Sequence, residues 1–234
     1  MKRSAEKEMM DLPGQPRELL VGDLANLRVL NRFLGCHRNV LRGLARLVRE
    51  QKLRDFSLLD VGTGSGDIPG VIARWARQRR LRARITAIDR EAVSVEEAVG
   101  QTRAFSEISL LCGDGAAPPF SAASFDFVLA SQMLHHLPDD EIVAMLRNWA
   151  RLARRAIIIS DLVRHPLPYY GISLISKAFT RNAMTLRDAP LSVRRALTLT
   201  EWARLLRRAD VGSFHVQWMF PFRVLGLISL KSRP

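Results

Sequence analysis

The stretch LLDVGTGSGD, residues 58–67, joins an apolar run to three glycines at alternate positions and ends in an acid. We expect a strand to end near Asp60 and a helix to begin after Gly66, because a glycine turn between them lets the backbone approach a ligand closely. Backbone amides and the positive end of the helix would face that ligand at the carboxyl edge of a sheet. A tight strand-to-helix turn also requires glycine, so the remaining sequence must decide whether a nucleotide-like ligand binds here.

Strands and helices are predicted to alternate along the chain. Apolar residues at helical spacing predict two helices over residues 17–50, broken near Gly35. The predicted strands are 57–61, 83–89, 108–112, 125–131 and 155–162, and the helices between them are 68–79, 91–105 and 139–153. Strands that are apolar on both faces and alternate with helices indicate an α/β fold with a parallel, doubly wound sheet.

The tail departs from this alternation. Residues 163–195 predict a proline-rich turn, an apolar segment and a polar stretch rather than a regular helix. A regular helix follows at TEWARLLRRAD, with Thr200 as the expected N-cap. Two β-prone runs, FHVQWMF and FRVLGLISL, are separated only by Pro221 and are expected to pair as a hairpin.

Composition limits the class of protein. The 234 residues suffice for one globular domain, and neither a 20-residue apolar run nor the apolar core of a signal peptide is present. Two cysteines without metal-ligand spacing suit a reducing cytoplasm. The net charge of +13 comes mostly from arginines spread along helices without interleaved aromatic residues, which makes nucleic acid an unlikely partner.

Two further acids follow predicted strands. Asp89 lies 23 positions beyond Gly66, close to the offset at which an acid meets ribose hydroxyls in nucleotide-binding folds. Asp114, in LLCGDGAAPPF, follows the third strand at the same edge, where a carboxylate can accept from an adenine amine. The glycine turn with Asp89 is compatible with a dinucleotide or an adenosyl-sulfonium cofactor, and Asp114 favours the second.

The order of these motifs, completed by FDFVLASQMLHHLPDDE, resembles the class I S-adenosylmethionine-dependent methyltransferases with type 11 or type 12 domains. The resemblance implies a Rossmann-like, seven-stranded, mostly parallel sheet with an antiparallel terminal hairpin. It implies a methyltransferase domain over residues 53–234, a helical lid over residues 1–52, and a lid insertion that forms the acceptor pocket over residues 163–195. The cofactor would be S-adenosyl-L-methionine, and S-adenosyl-L-homocysteine would be the product.

The resemblance also implies which residues hold the cofactor. The methionine part would lie against the glycine turn, the ribose against the acid after the second strand, and the adenine against the acid and glycine after the third. The implied residues are Asp60, Gly62, Thr63, Gly64, Gly66, Asp89, Arg90, Asp114 and Gly115, with Ser131 at the border of the cleft. Asp67 is better explained as a favourable charge at a helix N-terminus.

A hydroxyl acceptor must lose a proton, and histidine is the side chain best suited to receive it. His135 and His136 follow the fourth strand and His165 follows the fifth, so all three lie at the correct sheet edge. Asp161 could orient one of them. Two alternatives stay open, in which the pair only packs the turn before Pro138 or water takes the proton.

The residues around the expected pocket bear on the acceptor and on metal use. ASQM, residues 130–133, replaces the Asn/Asp-Pro-Pro-Tyr/Phe turn of enzymes that methylate amines of bases, so an amine acceptor in nucleic acid is disfavoured. Asp139, Asp140 and Glu141 read as the acidic first turn of a helix, and no metal is expected. The expected acceptor contacts are Asn31, Tyr169, Tyr170, Asn182 and Arg194.

A weaker resemblance comes from NRFLG, SDLVRHPLPYY, TRNAMTLRDAPLSVRRALT and FPFR. These stretches are similar to bacterial methyltransferases of secondary metabolism that accompany type III polyketide synthases. They imply O-methylation of a phenolic or polyketide-derived small molecule. A C-methyltransferase on a quinone precursor, an RNA methyltransferase and a catalytically silent cofactor-binding protein remain alternatives, and the oligomeric state stays open, with a homodimer among the options.

Overall fold

The computed structural model describes residues 1–231, so the last three residues of the predicted domain 53–234 lie outside it. The helices are α1 Arg17–Phe33, α2 Cys36–Glu50, α3 Asp67–Gln78, α4 Ala92–Thr102, α5 Asp139–Leu152, α6 Pro166–Phe179, α7 Ala183–Arg195 and α8 Leu199–Ala209. The strands are β1 Asp55–Val61, β2 Arg82–Asp89, β3 Ile108–Cys112, β4 Phe125–Ser131, β5 Ala153–Leu162, β6 Gly212–Met219 and β7 Arg223–Leu230. Short 3-10 turns occur at Met9–Asp11 and Leu134–His136.

The seven strands form one sheet in the order β3-β2-β1-β4-β5-β7-β6. The first five strands pair in parallel, and β7 runs antiparallel to both β5 and β6. The order reverses between β1 and β4, where crossovers leave in opposite directions and open a crevice at the carboxyl edge. The predicted fold class and terminal hairpin are confirmed.

Two apolar layers of helices cover the sheet, one on each face, and bury the central strands β1, β4 and β5 on both sides. Trp149 of α5 and Trp202 of α8 lie in the core on one face, while α2 and α3 pack on the other. Val40 and Leu44 of α2 are completely buried against the sheet. In the segment 1–52, α2 is therefore part of the core layer, whereas residues of the 7–11 stretch and of α1 line a cavity at the sheet edge.

The segment 163–195 differs from the prediction, because it forms two regular helices. His165 caps α6 by accepting the Leu167 N–H, and Asn182 caps α7 by accepting the Thr185 N–H. Prolines near the start of α6 and Pro190 inside α7 obscured both helices in the sequence pattern.

The N-cap prediction for the following helix is also wrong. Thr198, two residues before Thr200, accepts the Glu201 N–H, and the Glu201 side chain accepts the Thr198 N–H in return. This reciprocal pair is a capping box, which satisfies two backbone donors at once. Thr200 lies inside the first turn of α8.

Candidate active site

A cavity of about 790 Å³ opens at the carboxyl edge of the sheet. The ends of β1, β2 and β4 and the loop after β3 form its floor, while α1, α6, α7 and residues 7–11 form its walls. Its volume is in the range of sites that bury a small-molecule ligand. The fold therefore places the motifs of the sequence around one cavity.

The glycine turn lines one end of this cavity. Gly62 and Gly64 both face it and have positive φ angles of 70° and 54°. The Gly64 N–H donates to Asp89 Oδ2 at 2.8 Å, which ties the turn to the end of β2. Gly66 does not line the cavity; it caps α3, and a Cβ there would lie 2.9 Å from the Cβ of Ala98. Its role is therefore the close packing of α3 against α4.

Asp60 and Thr63 present buried polar atoms beside the turn. Asp60 Oδ2 and Thr63 Oγ1 are buried without a hydrogen-bond partner. Burial raises the pKa of Asp60 to about 7, the nearby Thr63 side chain acts against it, and the charges of Asp67 and Asp89 act with it. A buried carboxylate oxygen without a hydrogen bond is costly, and a ligand cation or hydrogen-bond donor would relieve that cost.

The other predicted cofactor residues also reach the cavity. Asp89 accepts the Glu91 N–H through Oδ1 at 3.0 Å, and each of its oxygens keeps a lone pair for a ligand hydroxyl. Asp114 is exposed at the cavity edge, and the Gly115 carbonyl accepts from Trp149 Nε1 at 2.8 Å. Arg90 and Ser131 line the cavity as well.

The histidine pair also lines the cavity. His135 is buried, and its Nδ1 lies 2.7 Å from Asp161 Oδ1, so Asp161 orients His135 as anticipated. Burial acts to raise the pKa of Asp161, but His135, the Leu162 N–H and His136 together outweigh it and lower the pKa below its usual value. His136 keeps 15% of its side chain exposed, and its Nδ1 lies 2.8 Å from Asp11 Oδ2.

His165, the third predicted base, is placed differently. It does not line the cavity, because its ring stacks on Phe222 with centroids 5.2 Å apart while its Nδ1 caps α6. The prediction of a catalytic role for His165 is therefore corrected to a structural one.

Four of the five predicted acceptor contacts also need correction. Asn31 lines the cavity, where it donates to Asp67 and accepts from Gln132. The other four lie outside the lining: Tyr169 in a small apolar cluster, Tyr170 with 69% of its surface exposed, Asn182 as the cap of α7, and Arg194 on the surface. Position within a lid segment did not indicate which helix face points inward.

Apolar side chains form much of the cavity wall contributed by the helices above the sheet edge. Helices α1, α6 and α7 contribute most of this surface, and the loop between β6 and β7 completes it. The side chains are Leu24, Leu27, Leu30, Leu34, Leu162, Leu167, Ile172, Ile175, Val193 and Phe222.

Three cavity residues, Glu8, Asp11 and Asp188, had no assigned role at the sequence level. Glu8 and Asp11 face the histidine pair, and Asp188 accepts the backbone N–H groups of Met9 and Met10. Arg195, outside the cavity lining, donates to the carbonyls of His135 and His136. Glu8 and Asp11 are more than 120 positions from the histidines, so no local motif could indicate the contact.

Comparison with known proteins agrees with this geometry. Residues 58–156 match the family model described as a methyltransferase domain. The matched region runs from the glycine turn to β5 and contains both histidines. Among curated protein sequences, none matches this chain.

Solved structures with the same fold include methyltransferases of several kinds. A SAM-dependent methyltransferase from Aquifex aeolicus has a TM-score of 0.64 and 15% identity, with 90% of this chain and 98% of that chain covered. The human N-acetylserotonin methyltransferase in complex with SAM has a TM-score of 0.66 and 18% identity, with 93% and 57% covered. The carbon methyltransferase CurJ has a TM-score of 0.67 and 15% identity, with 91% and 59% covered. The chain spans less than two thirds of the last two structures.

The family match and the fold point the same way. Residues 58–156 match a methyltransferase domain, and the chain has the fold of S-adenosylmethionine-dependent methyltransferases. The site fits this cofactor: the unpartnered Asp60 Oδ2 and Thr63 Oγ1 suit the ammonium of its methionine part, and Asp89 has lone pairs for ribose hydroxyls. Within residues 1–231, no helix is long and apolar enough to cross a membrane.

Proposed function

We propose that this enzyme transfers a methyl group to a hydroxyl group of an apolar small molecule, of the phenolic or polyketide-derived type. The observation that supports this most is that a histidine pair, many apolar side chains and the glycine turn all line the same cavity. An enclosed apolar space suits an aromatic or alkylated acceptor, and the imidazole suits a proton that must leave its oxygen.

When bound, S-adenosyl-L-methionine supplies a methyl group on a positively charged sulfur. We infer that Asp60, Gly62, Thr63 and Gly64 hold its methionine part. The remaining contacts of the cofactor are assigned to Asp89, Arg90, Asp114, Gly115 and Ser131. The apolar side chains of α1, α6 and α7 then exclude water and fix the acceptor. Positioning supplies much of the catalysis, because the donor is already activated.

His136 is the proposed proton acceptor of this pair. It is the more exposed histidine, whereas His135 keeps only 2% of its side chain exposed and is held by Asp161. A positioned general base contributes about 10²- to 10⁴-fold to such a reaction. We therefore expect His136→Gln to lower kcat by about that factor while binding of S-adenosyl-L-homocysteine changes by less than about threefold.

The test uses S-adenosyl-L-methionine and a panel of alkyl phenols and alkyl resorcinols as probes. Product NMR distinguishes a methyl group on oxygen from one on carbon, and His215→Gln, on exposed β6 away from the cavity, is the matched control. Methyl ethers formed by the wild-type enzyme and the control, but not by His136→Gln, support the proposal. Methylation on ring carbon, or undiminished turnover by His136→Gln, contradicts it.

We further propose a cytoplasmic location and no nucleic-acid substrate. Many arginines are engaged within the molecule: Arg195 holds backbone carbonyls, while Arg164 and Arg154 pair with Glu201 and Asp126. Part of the net charge of +13 therefore serves the fold.

A further inference from the structure

The N-terminal segment, residues 1–16, is bound along α7 and forms part of the cavity wall. Asp188 of α7 accepts the backbone N–H groups of Met9 and Met10 at 2.9 and 3.0 Å. The Ser4 N–H donates to the carbonyl of Arg194 at 3.0 Å. These contacts fix the 3-10 turn at Met9–Asp11 and bring Glu8 and Asp11 against the histidine pair.

Five side chains, alternately carboxylates and imidazoles, form a continuous row beside the cavity. Asp161 Oδ1 lies 2.7 Å from His135 Nδ1, and His135 Nε2 lies 3.7 Å from Glu8 Oε1. Glu8 Oε2 lies 3.8 Å from His136 Nε2, and His136 Nδ1 lies 2.8 Å from Asp11 Oδ2. Each histidine thus has a close carboxylate at Nδ1, and both Nε2 atoms face the single carboxylate of Glu8.

Two atoms at the centre of this row make no hydrogen bond. Glu8 keeps 1% of its surface exposed and His135 keeps 2%, yet neither Glu8 Oε1 nor His135 Nε2 has a hydrogen-bond partner. The nearest cation to Glu8 Oε1 is Arg195, whose Nε lies 3.5 Å away as an ion pair. The separations of 3.7 and 3.8 Å exceed a direct hydrogen bond. Unsatisfied buried groups are rare in folded proteins, and each calls for an explanation beyond packing.

The charges around Glu8 come from three elements. The turn at Leu134–His136 presents both histidines, α7 presents Asp188 and Arg195, and the N-terminal segment presents Asp11. Ser192 of α7 donates to Glu8 Oε2 at 2.7 Å. Burial raises the pKa of Glu8 to about 7, although His136 and Ser192 act against it. Glu8 therefore occupies a position that costs stability when ionised.

We propose that Glu8 and Asp11 are positioning residues for the histidine pair. Together with Asp161 they hold both imidazoles so that His136 Nδ1–H points to Asp11 and His135 Nδ1–H points to Asp161. His136 Nε2 is then left without a proton and is the proton acceptor. This inference rests on the proposed hydroxyl methylation. The acceptor O–H proton passes to His136 Nε2, and the electron pair stays on oxygen. That pair forms the new bond to the methyl carbon, while the electrons of the broken C–S bond go to sulfur. The imidazolium then lies between the carboxylates of Asp11 and Glu8.

The first test reads the tautomers directly and needs no acceptor. The chain has five histidines, so ¹⁵N imidazole spectra at pH 8 are assigned by single variants, with His215→Gln among them. We expect His135 and His136 to carry the proton on Nδ1, and Asp11→Asn to change the signals of His136 while those of His165 stay unchanged. Both histidines protonated on Nε2 would overturn the proposal.

A second test addresses a metal ion at the same place. The two Nε2 atoms and a Glu8 oxygen lie within 4.8 Å of one another, a spacing that three ligands of one divalent ion can have. Metal analysis of the purified protein is expected to find no stoichiometric ion. An ion bound one to one and lost in Glu8→Gln would overturn the proposal, because it would occupy the lone pair of His136.

Kinetics supply the third readout, with the alkyl phenol that serves best as probe. Glu8→Gln is expected to lower kcat by about 10- to 100-fold with KM changed by less than about threefold. Glu6→Gln, which removes an exposed carboxylate of the same segment that pairs with Arg187, is the matched control and stays within about twofold. Equal losses in both variants would contradict a positioning role. If no phenol is methylated, the proposed function fails, while the tautomer test still decides the arrangement.

Discussion

Asp60 is a buried acid whose ionised form is destabilised in the protein without ligand. Its pKa of about 7 in the fold lies above the ordinary value of 3.8, so the folded protein binds an extra proton between these values. The unliganded fold therefore loses stability as pH rises from about 4 to about 7, and the loss is complete above that range.

Asp60→Asn is expected to remove this loss. At pH 8 the free energy of unfolding of the unliganded protein should rise by on the order of 2–4 kcal/mol, because the variant has no buried charge. At pH 5 the difference should be small, and binding of S-adenosyl-L-homocysteine should weaken at least about tenfold. Urea unfolding at both pH values and calorimetry measure these effects. A variant that is less stable at pH 8 would show that Asp60 is ionised and satisfied without ligand.

Asp126 is a buried acid whose pKa is shifted in the opposite direction to that of Asp60, downward instead of upward. Burial opposes its charge, but hydrogen bonds from Arg154, the Ser57 N–H and Arg155 lower the pKa of Asp126 to about 2. This acid contributes stability that is present above about pH 4 and is lost as pH falls through about 2.

Asp126→Asn should therefore destabilise the protein at pH 7 by about 2 kcal/mol, with no effect on cofactor binding because Asp126 is not among the residues that line the cavity. The destabilisation should shrink as the pH approaches 2. Urea unfolding across this pH range checks it, and an unchanged midpoint at pH 7 would mean that the ion pairs with Arg154 and Arg155 contribute nothing.

Among the elements of the fold, the turn between β1 and α3 contains two glycines that serve different purposes, one at the cavity and one between helices. Gly64 and Gly66 both have positive φ, but a Cβ at Gly64 would meet only Leu24 at 3.7 Å, whereas one at Gly66 would meet Ala98 at 2.9 Å. Gly64 lines the cavity, and Gly66 lies between two helices.

These surroundings predict opposite phenotypes for one substitution. Gly64→Ala should cost about 1 kcal/mol of stability but weaken binding of S-adenosyl-L-homocysteine strongly, since a methyl group would project toward the ligand. Gly66→Ala should cost about 2–4 kcal/mol, because strain adds to a clash of α3 with α4. Thermal unfolding and calorimetry on both variants test this, and equal stability losses would contradict the assignment of Gly66 to helix packing.

Local sequence patterns determine which elements of the molecule could be predicted. The apolar runs of β1, β4 and β5 and the glycine turn are local patterns, so their order indicated the sheet and the cofactor edge. Helices α6 and α7 were missed because prolines and polar residues mask their period. The contacts of Glu8 and Asp11 with the histidine pair were also missed, because tertiary packing alone brings these distant segments together.

For the whole molecule, the net charge of +13 is the main feature to which methylation of a small apolar molecule assigns no role in substrate binding. A protein that contacts several phosphates loses about 10³-fold or more in affinity between 50 and 200 mM salt. For an apolar acceptor in an enclosed cavity, we expect the KM to change by less than about twofold over that range. Steady-state kinetics at both salt concentrations check this, and a steep rise in KM would indicate a polyanionic substrate.

The most direct test of the central claim uses the purified enzyme, methyl-labelled S-adenosyl-L-methionine and an extract of the source cells. The products are separated into a solvent-extractable fraction and an acid-precipitable fraction, with His136→Gln run in parallel. We expect label in the solvent fraction that the variant fails to produce, in a compound whose new methyl group is bound to oxygen. Label confined to an RNase-sensitive precipitate would contradict it, and the arginine-rich surface would then be the substrate-binding face.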